Sequence, residues 1–223
     1  MGKAIELKAK DGFTLGAYRA DPTGTPKGGL VVIQEIFGVN KHIRSVCDRF
    51  AEQGYVAISP AVFDRVNRGV ELGYDKASID EGVKIRAAIS TEDSLLDVQA
   101  AIDAAKAGGK VGVVGYCWGG SLAFLAATRL SGLACAVGYY GGMIAKHADE
   151  KPKVPVMLHF GEKDHGIPMT DVQAVKAARQ EVEVFTYNAD HGFSCDERGS
   201  FDRASHQLAL ERTLGFFQKH LGK

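Results

Sequence analysis

The chain has 223 residues, with 27 basic and 27 acidic side chains, so its formal net charge is zero. Hydrophobic residues make up 45% of it and charged residues 24%. This balance is typical of a globular protein, and it excludes a disordered chain, which would be poorer in apolar residues and more strongly charged. A nucleic-acid partner is not expected, because no excess of basic side chains is present to neutralise phosphates.

The first elements predict a β-hairpin followed by a buried strand. Residues 5–9 and 13–18 alternate in polarity, and the turn dipeptide Asp11-Gly12 lies between them. The apolar run at 30–33 shows no alternation, which is typical of a strand covered on both faces of a parallel sheet. We therefore expect the hairpin to form an antiparallel edge of an otherwise parallel sheet.

Strands and helices alternate along the rest of the chain. Predicted helices lie around 43–50, 90–107, 121–130, 170–180 and 203–221, and predicted strands at 55–58, 111–114, 134–137, 156–160 and 182–185. Residues 61–89 are mixed in character and receive no assignment. The alternation predicts an α/β fold with a mostly parallel central sheet of about eight strands and helices on both faces. No repeat or linker interrupts it, so we expect one domain over residues 1–223.

The termini, apolar runs and cysteines predict a cytoplasmic protein. The first residues lack the apolar segment of a secretory signal, and no apolar run is long enough to span a bilayer. The four cysteines, at positions 47, 117, 135 and 195, form no CxxC pair and are expected to be free thiols. Zero net charge and the lack of an evident apolar patch favour a monomer.

A glycine-rich turn at Cys117 is the strongest local motif. It stands directly between a predicted strand and a predicted helix and reads Gly115-Tyr116-Cys117-Trp118-Gly119-Gly120. This is the pattern of a nucleophile elbow with cysteine in the place of serine. The thiol would project near a helix N-terminus, whose partial positive charge favours a thiolate.

A cysteine nucleophile needs a base, and the base needs an acid to orient it. Asp164 follows the predicted strand at 156–160, and His191 follows the one at 182–185, so both belong to the same sheet edge as Cys117. The order nucleophile, acid, histidine is that of nucleophile-elbow hydrolases. Glu162 is an alternative acid, whereas Asp190 is disfavoured because it adjoins the histidine.

The other histidines and one carboxylate need separate interpretations. We expect His159 to lie in the core, His206 on a helix, and His42, His147 and His220 at the surface. Glu35 follows the apolar strand at 30–33, where an unpaired carboxylate is costly. From the residues alone, Glu35 is either a functional carboxylate or a partly solvated loop residue. His191 and Cys195 suggest a metal pair, but no second pair with ligand spacing appears, so no metal is expected.

Taken together, these motifs resemble those of one known family. They comprise Gln34-Glu35-Ile36-Phe37-Gly38-Val39-Asn40, the elbow around Cys117, Gly138-Tyr139-Tyr140-Gly141, Asp164 and His191-Gly192-Phe193. With this order and spacing, the chain resembles the dienelactone hydrolase (carboxymethylenebutenolidase-like) family of the α/β-hydrolase superfamily over essentially its whole length. The resemblance implies an α/β-hydrolase fold, no cofactor, and a small ester or lactone substrate.

The resemblance also implies roles for individual residues. Cys117, His191 and Asp164 would form the catalytic triad, and the thiolate would attack an ester or lactone carbonyl to give a thioester that water then hydrolyses. Glu35 would hold the resting thiol neutral until substrate displaces it. The backbone N–H groups of Ile36 and Trp118 would form the oxyanion hole.

The chain departs from family members that act on dienelactone. These carry an arginine four residues after the catalytic histidine, where this chain has Cys195, and a second one in the region matching 79–86. Arg86, Arg198 or Arg203 would have to bind an anionic substrate, although solvated surface cations are the simpler interpretation. The candidate substrate-pocket residues are Arg86, Phe37, Tyr139, Cys195 and Arg198.

Two alternatives from other classes stay open. A non-hydrolytic small-molecule sensor on the same fold would carry a broken triad, whereas all three triad residues are present here. A thiol redox protein would need a resolving cysteine near Cys117, and Cys195 is the only candidate.

Overall fold

The computed structural model describes residues 2–222 and places eight strands in one sheet. The strands are β1 (Lys3–Lys8), β2 (Thr14–Ala20), β3 (Gly28–Ile33), β4 (Tyr55–Pro60), β5 (Val111–Tyr116), β6 (Leu133–Tyr139), β7 (Val156–Gly161) and β8 (Glu183–Tyr187). Their order is β1-β2-β4-β3-β5-β6-β7-β8. β2 is antiparallel to both β1 and β4, and all other pairs are parallel. The predicted antiparallel hairpin and mostly parallel sheet are confirmed.

Six α-helices connect or flank the strands. They are α1 (Lys41–Glu52), α2 (Lys76–Ala87), α3 (Thr91–Ala105), α4 (Trp118–Arg129), α5 (Met169–Ala178) and α6 (Arg203–Leu221), with short 3₁₀ helices at Val62–Arg65, Lys106–Gly108 and Ile144–His147. Ser90 caps α3 by accepting from the Asp93 N–H, as its position before the helix predicts. α2 lies in the stretch left unassigned, because its only buried residues are Gly82 and Ile85 and its apolar periodicity is weak.

The predicted start of α4 is wrong by three residues. The sequence favours a start at Ser121, because Gly119 and Gly120 disfavour a helix. In the structure α4 begins at Trp118, directly after the nucleophile. A side chain at Gly119 would overlap the backbone of Ile33 on β3, so close packing against the sheet outweighs helix propensity here.

Helices cover both faces of the sheet. Side chains alternate between faces along a strand, and two neighbouring glycines on β3 show what lies on each side: Gly28 faces Leu221 of α6, whereas Gly29 faces Ala105 of α3. α1 joins α6 on one face through an edge-to-face contact of Phe50 with Phe217, and α3 contacts α4 on the other. β3, β4, β5 and β7 are buried throughout, and for β3 this burial confirms the prediction from its apolar run.

The strand order reverses at β3, which lies between β4 and β5. Ligands of open α/β sheets bind at such a switch point, at the carboxyl ends of the strands. Glu35 follows the end of β3 and Cys117 follows the end of β5, so the candidate residues lie at this position. Among residues 2–222, no helix is both long and apolar enough to cross a membrane.

Candidate active site

The sharp turn after β5 places Cys117 at the N-terminus of α4. Cys117 has φ 55° and ψ −119°, a conformation that non-glycine residues rarely adopt. Its own N–H donates to the carbonyl of Tyr139 at 3.0 Å, which fixes the turn against β6. The thiol is half-buried. The turn therefore holds a strained cysteine where the unpaired amides of the first helical turn begin.

The turn requires glycine at Gly115. A Cβ at this position would overlap the carbonyl of Gly119, one turn into α4. The β5 strand and α4 backbones therefore touch, which no larger residue allows. This contact explains the glycine spacing that the sequence shows around Cys117.

Asp164 and His191 form a hydrogen-bonded pair beside this turn. The His191 Nδ1 lies 2.7 Å from Oδ2 of Asp164, which is 5% exposed. The second carboxylate oxygen, Oδ1, accepts from the Gly166 N–H at 2.8 Å. Glu162 instead accepts from the hydroxyl of Thr186, and Asp190 accepts from the backbone N–H of His191. Of the three acids weighed from the sequence, Asp164 is the one that contacts the imidazole ring.

The surroundings of His191 favour its charged form. Burial alone lowers its pKa, but the hydrogen bond to Asp164 and the neighbouring Cys117 sulfur raise the pKa to about 10. His191 therefore carries a proton at neutral pH in this environment. A protonated imidazole beside a cysteine stabilises the thiolate form of that cysteine.

A cavity of about 250 Å³ opens over Cys117 and His191. It is lined by Ile36, Val83, Arg86, Cys117, Trp118, Ser121, Gly142, Met143, Gly166, Ile167 and His191. Ile36 follows β3 and Trp118 begins α4, so these two residues flank the nucleophile from neighbouring loops. α2 contributes Val83 and Arg86, so the stretch without a predicted structure forms part of the cavity wall.

Arg86 is the one arginine or lysine among the residues that line this cavity. Its Nη2 contacts the sulfur of Met143, another lining residue, at 2.7 Å. Within the part of the chain that the structure describes, no carboxylate forms an ion pair with it. A partly buried guanidinium of this kind can bind an anionic group of a ligand.

Glu35 is buried behind the cavity, 1% exposed. Its Oε2 accepts from the hydroxyl of Tyr74 at 2.9 Å, and its Oε1 faces the Arg198 guanidinium at 3.4 Å. Both oxygens therefore have partners other than the Cys117 thiol. The partly solvated alternative for Glu35 is wrong, because these two partners allow the carboxylate to be buried.

Four predicted pocket residues lie outside the cavity lining. Phe37 is fully buried and packs edge-on against Tyr74, at 4.6 Å between ring centroids. Tyr139 points away from the site, because its hydroxyl bonds Thr213 of α6 at 2.7 Å. Arg198 holds Glu35 and lies over the ring of Phe37. Cys195 is fully buried, and this burial together with the Glu35 charge raises its thiol pKa to about 12.

His42 is buried, so its predicted surface position is wrong. The ring is 1% exposed, and its Nδ1 lies 2.9 Å from Asp196, a residue of the loop that also carries His191. By contrast, His159 lies in the core as predicted, where it contacts Tyr187 and Thr213 and where burial lowers its pKa to about 3.

Three buried side chains near the site offer donor atoms that suit a metal ion. Glu35, His42 and Cys195 each provide one such atom, and these atoms lie within 4.8 Å of one another. The sequence suggests no such group, since the three residues come from distant segments of the chain and share no ligand spacing.

Two tyrosines of the site were missed. Tyr74 lies in the unassigned stretch, and it reaches Glu35 because the segment that carries it binds the loop after β3: the Leu72 N–H donates to the carbonyl of Phe37 at 2.9 Å. Tyr140 lies with its ring centroid 5.0 Å from that of His191, in a positive-φ conformation of 38°. The Gly-Tyr-Tyr-Gly motif marks Tyr140, but no sequence pattern marks Tyr74.

Comparison with known proteins identifies the family. A model of the dienelactone hydrolase family matches residues 15–221. The carboxymethylenebutenolidase of Pseudomonas putida is 34% identical over 225 residues, which cover 96% of this chain and 95% of that protein.

Solved structures agree on the fold. A candidate dienelactone hydrolase of Klebsiella pneumoniae superposes with a TM-score of 0.84 at 29% identity, covering 98% of this chain and 99% of that one. An esterase of Pyrococcus furiosus superposes with a TM-score of 0.72 at 14% identity, covering 100% of this chain and 93% of the esterase, and shows the fold alone. The predicted α/β-hydrolase fold is confirmed. The chain therefore belongs to the dienelactone hydrolase family and is a hydrolase of ester or lactone bonds.

Proposed function

We propose that the chain hydrolyses small esters or lactones through Cys117 as nucleophile, His191 as base and Asp164 as the group that orients the base. The observation that carries the proposal is the 2.7 Å hydrogen bond between His191 and Asp164 at a cavity lined by both Cys117 and His191. The raised pKa of His191 supports a thiolate–imidazolium pair as the reactive form.

In the first half of the reaction, the Cys117 thiolate attacks the carbonyl carbon, and a carbon–sulfur bond forms as the carbonyl electrons move to oxygen. The backbone N–H groups of Ile36 and Trp118 stabilise this oxyanion; loss of one such donor costs about 10²–10³ in rate. The carbonyl re-forms, the carbon–oxygen bond to the leaving group breaks, and His191 gives its proton to the leaving alkoxide or enolate. The product of this half is a thioester on Cys117.

In the second half, neutral His191 accepts a proton from water, and the hydroxide attacks the thioester carbonyl. The carbon–sulfur bond then breaks, the carboxylic acid leaves, and the thiolate–imidazolium pair is restored. Asp164 keeps the Nδ1 of His191 bonded, so the other nitrogen, Nε2, faces the cavity and carries both proton transfers.

We also propose that Glu35 keeps the Cys117 thiol neutral until substrate binds. Its carboxylate is occupied by Tyr74 and Arg198. To accept a hydrogen bond from Cys117, it must therefore exchange one of these partners. The contact with Arg198 is the longer of the two, at 3.4 Å against 2.9 Å for Tyr74, so Arg198 is the partner that we expect to yield.

We propose that the preferred substrates carry an anionic group that binds Arg86. The cavity holds a small ligand only, and its one arginine, Arg86, lacks a carboxylate partner in residues 2–222. The carboxymethylenebutenolidase activity named for the Pseudomonas relative is compatible with this requirement.

Steady-state hydrolysis of dienelactone and of a neutral aryl ester tests both parts. Cys117→Ala is expected to abolish turnover of both substrates with the fold retained. Arg86→Met is expected to raise KM for the anionic lactone about tenfold or more, the range of a charge-assisted hydrogen bond, with the neutral ester unaffected. Lys84→Met on the same helix is the matched control, because Lys84 is exposed and lies outside the cavity lining. Activity retained in Cys117→Ala contradicts the proposed nucleophile.

Intact mass spectrometry provides a second readout. An activated ester is expected to add one acyl group to Cys117, and His191→Gln is expected to prolong its lifetime. An acyl group found on any other residue would contradict the thioester.

A further inference from the structure

Three buried side chains of types that bind metal ions lie close together near the site. The proposed reaction uses only one of them, Glu35. Glu35 comes from the loop after β3, His42 from the first turn of α1, and Cys195 from the loop before α6. Their donor atoms lie within 4.8 Å of one another. All three side chains are buried, at 1% exposure or less.

His42 carries the second and independent observation. Its Nδ1 lies 2.9 Å from Oδ1 of Asp196, so this nitrogen is the one that bears the proton. Its Nε2 is buried and has no hydrogen-bond partner in the part of the chain that is described. A buried polar atom left unpaired destabilises the fold, so such an atom indicates a missing partner. A neutral imidazole bonded on one nitrogen by a carboxylate, with the other nitrogen free, is the arrangement of metal-ligating histidines.

The donor types select the metal. Thiolate, imidazole and carboxylate together are ligands of Zn²⁺, whereas Mg²⁺ and Ca²⁺ take oxygen ligands. Ligand atoms around a tetrahedral zinc lie about 3.5 Å apart, given bond lengths of about 2.0–2.3 Å. Since the donor atoms lie within 4.8 Å of one another, each pair has to approach by about 1.3 Å at most. The hydroxyl of Tyr74 neighbours both Glu35 and Cys195, and water would complete the coordination of the ion.

One cation opposes metal binding. Arg198 lies 3.4 Å from Glu35, and its side chain is 20% exposed at the edge of the group. A divalent ion competes with this guanidinium for the carboxylate, and the exposed end of Arg198 gives it room to turn towards solvent.

We propose that Glu35, His42 and Cys195 form a Zn²⁺-binding site, with Asp196 positioning His42. The site shares Glu35 with the proposed hydrolase but uses neither Cys117 nor His191. Occupation would hold Glu35 on the ion and keep it from exchanging a partner for the Cys117 thiol, so the ion is expected to change turnover without taking part in it. If no metal binds, the proposed hydrolase mechanism still stands. If the hydrolase mechanism is wrong, the metal site can still exist.

Cobalt titration of the chelator-treated protein, freed of any histidine tag, tests the site. Co²⁺ is expected to bind in a one-to-one ratio and to give a thiolate-to-cobalt charge-transfer band with the strong d–d absorption of a tetrahedral ion. Zn²⁺ is expected to displace it. The band is expected to vanish in Cys195→Ser and to persist in Cys117→Ala, the control for the other nearby thiol.

Two further variants keep the test decisive if Cys195→Ser does not fold. Asp196→Asn changes a side chain that is 44% exposed and is expected to weaken Zn²⁺ binding about 10–100-fold, as loss of an orienting carboxylate does. Arg198→Met is expected to strengthen binding. The proposal is overturned if Co²⁺ shows no saturable band, if the band is lost in Cys117→Ala, or if Asp196→Asn changes the affinity less than twofold.

Discussion

Replacing Cys117 by glycine is expected to abolish turnover. It is also expected to give a more stable protein than Cys117→Ala, although glycine is usually less stabilising than alanine. Alanine keeps a Cβ at φ 55° and ψ −119°, which costs about 1–3 kcal/mol, whereas glycine adopts this conformation without strain. Glycine loses about 0.5–1 kcal/mol through its greater unfolded-state freedom. It also forfeits about 0.4 kcal/mol from a half-buried methyl group. About 1 kcal/mol remains in favour of the glycine variant.

Urea and thermal unfolding followed by circular dichroism measure this difference. For a chain of this length, about 1 kcal/mol corresponds to a Tm higher by about 2–4 °C. The matched control is Ala104→Gly in α3, which is half-buried in ordinary helical geometry and is expected to lose about 1 kcal/mol. The reasoning is refuted if Cys117→Gly has a lower free energy of unfolding than Cys117→Ala by the same amount that Ala104→Gly loses relative to wild type. The turn would then store no strain.

Three further predictions follow from contacts of the site. Asp164→Asn is expected to lower kcat by about 10⁴ with the fold retained, and Glu162→Gln, at an exposed site bonded to a threonine, to leave kcat unchanged; equal effects would contradict the assignment of the acid. The raised pKa of His191 means that the folded state holds a proton that the unfolded state releases above pH 6.5, so this contribution to stability is complete below pH 6.5 and is lost as the pH rises to about 10. His191→Gln is therefore expected to flatten the pH dependence of the unfolding free energy in that window by up to about 1.4 kcal/mol per pH unit, and an unchanged slope would argue against the raised pKa. Tyr74→Phe is expected to cost about 1.5–3 kcal/mol because it removes a hydrogen bond to a buried carboxylate, whereas Tyr140→Phe is expected to stay within about 0.5 kcal/mol because its hydroxyl has no partner in residues 2–222; similar losses in urea unfolding would show that these contacts are misjudged.

The sequence alone locates the site residues that lie close to the carboxyl end of a predicted strand. Cys117 and Asp164 directly follow buried strands and His191 comes soon after another, and parallel strands bring their carboxyl ends to one edge whatever the loops do. Positions in the sequence could rank the candidate acids that orient His191. Only the 2.7 Å contact with the imidazole distinguishes Asp164 from Glu162 and Asp190.

The residues that escaped prediction depend on contacts between distant loops. Tyr74 reaches Glu35 because its segment is bonded to the loop after β3, and nothing in local periodicity indicates that pairing. His42 is buried although it lies in the first turn of α1, because the loop carrying Asp196 covers it. Tyr139 and Tyr140 stand side by side in one motif, but the Tyr139 hydroxyl bonds Thr213 whereas the Tyr140 ring faces His191, so adjacency in sequence does not place Tyr139 in the pocket.

The separation of the site over β5, β7 and β8 has a consequence for how the protein is made. During synthesis the nucleophile emerges first, and His191 follows about 4 to 15 s later at about 5–20 residues per second. Until then the nascent chain carries a thiol without its proton acceptor, and α6, which covers one face of the sheet, has yet to leave the ribosome. Reactivity therefore arises only when the last strands dock, so a stalled or truncated product carries no working esterase.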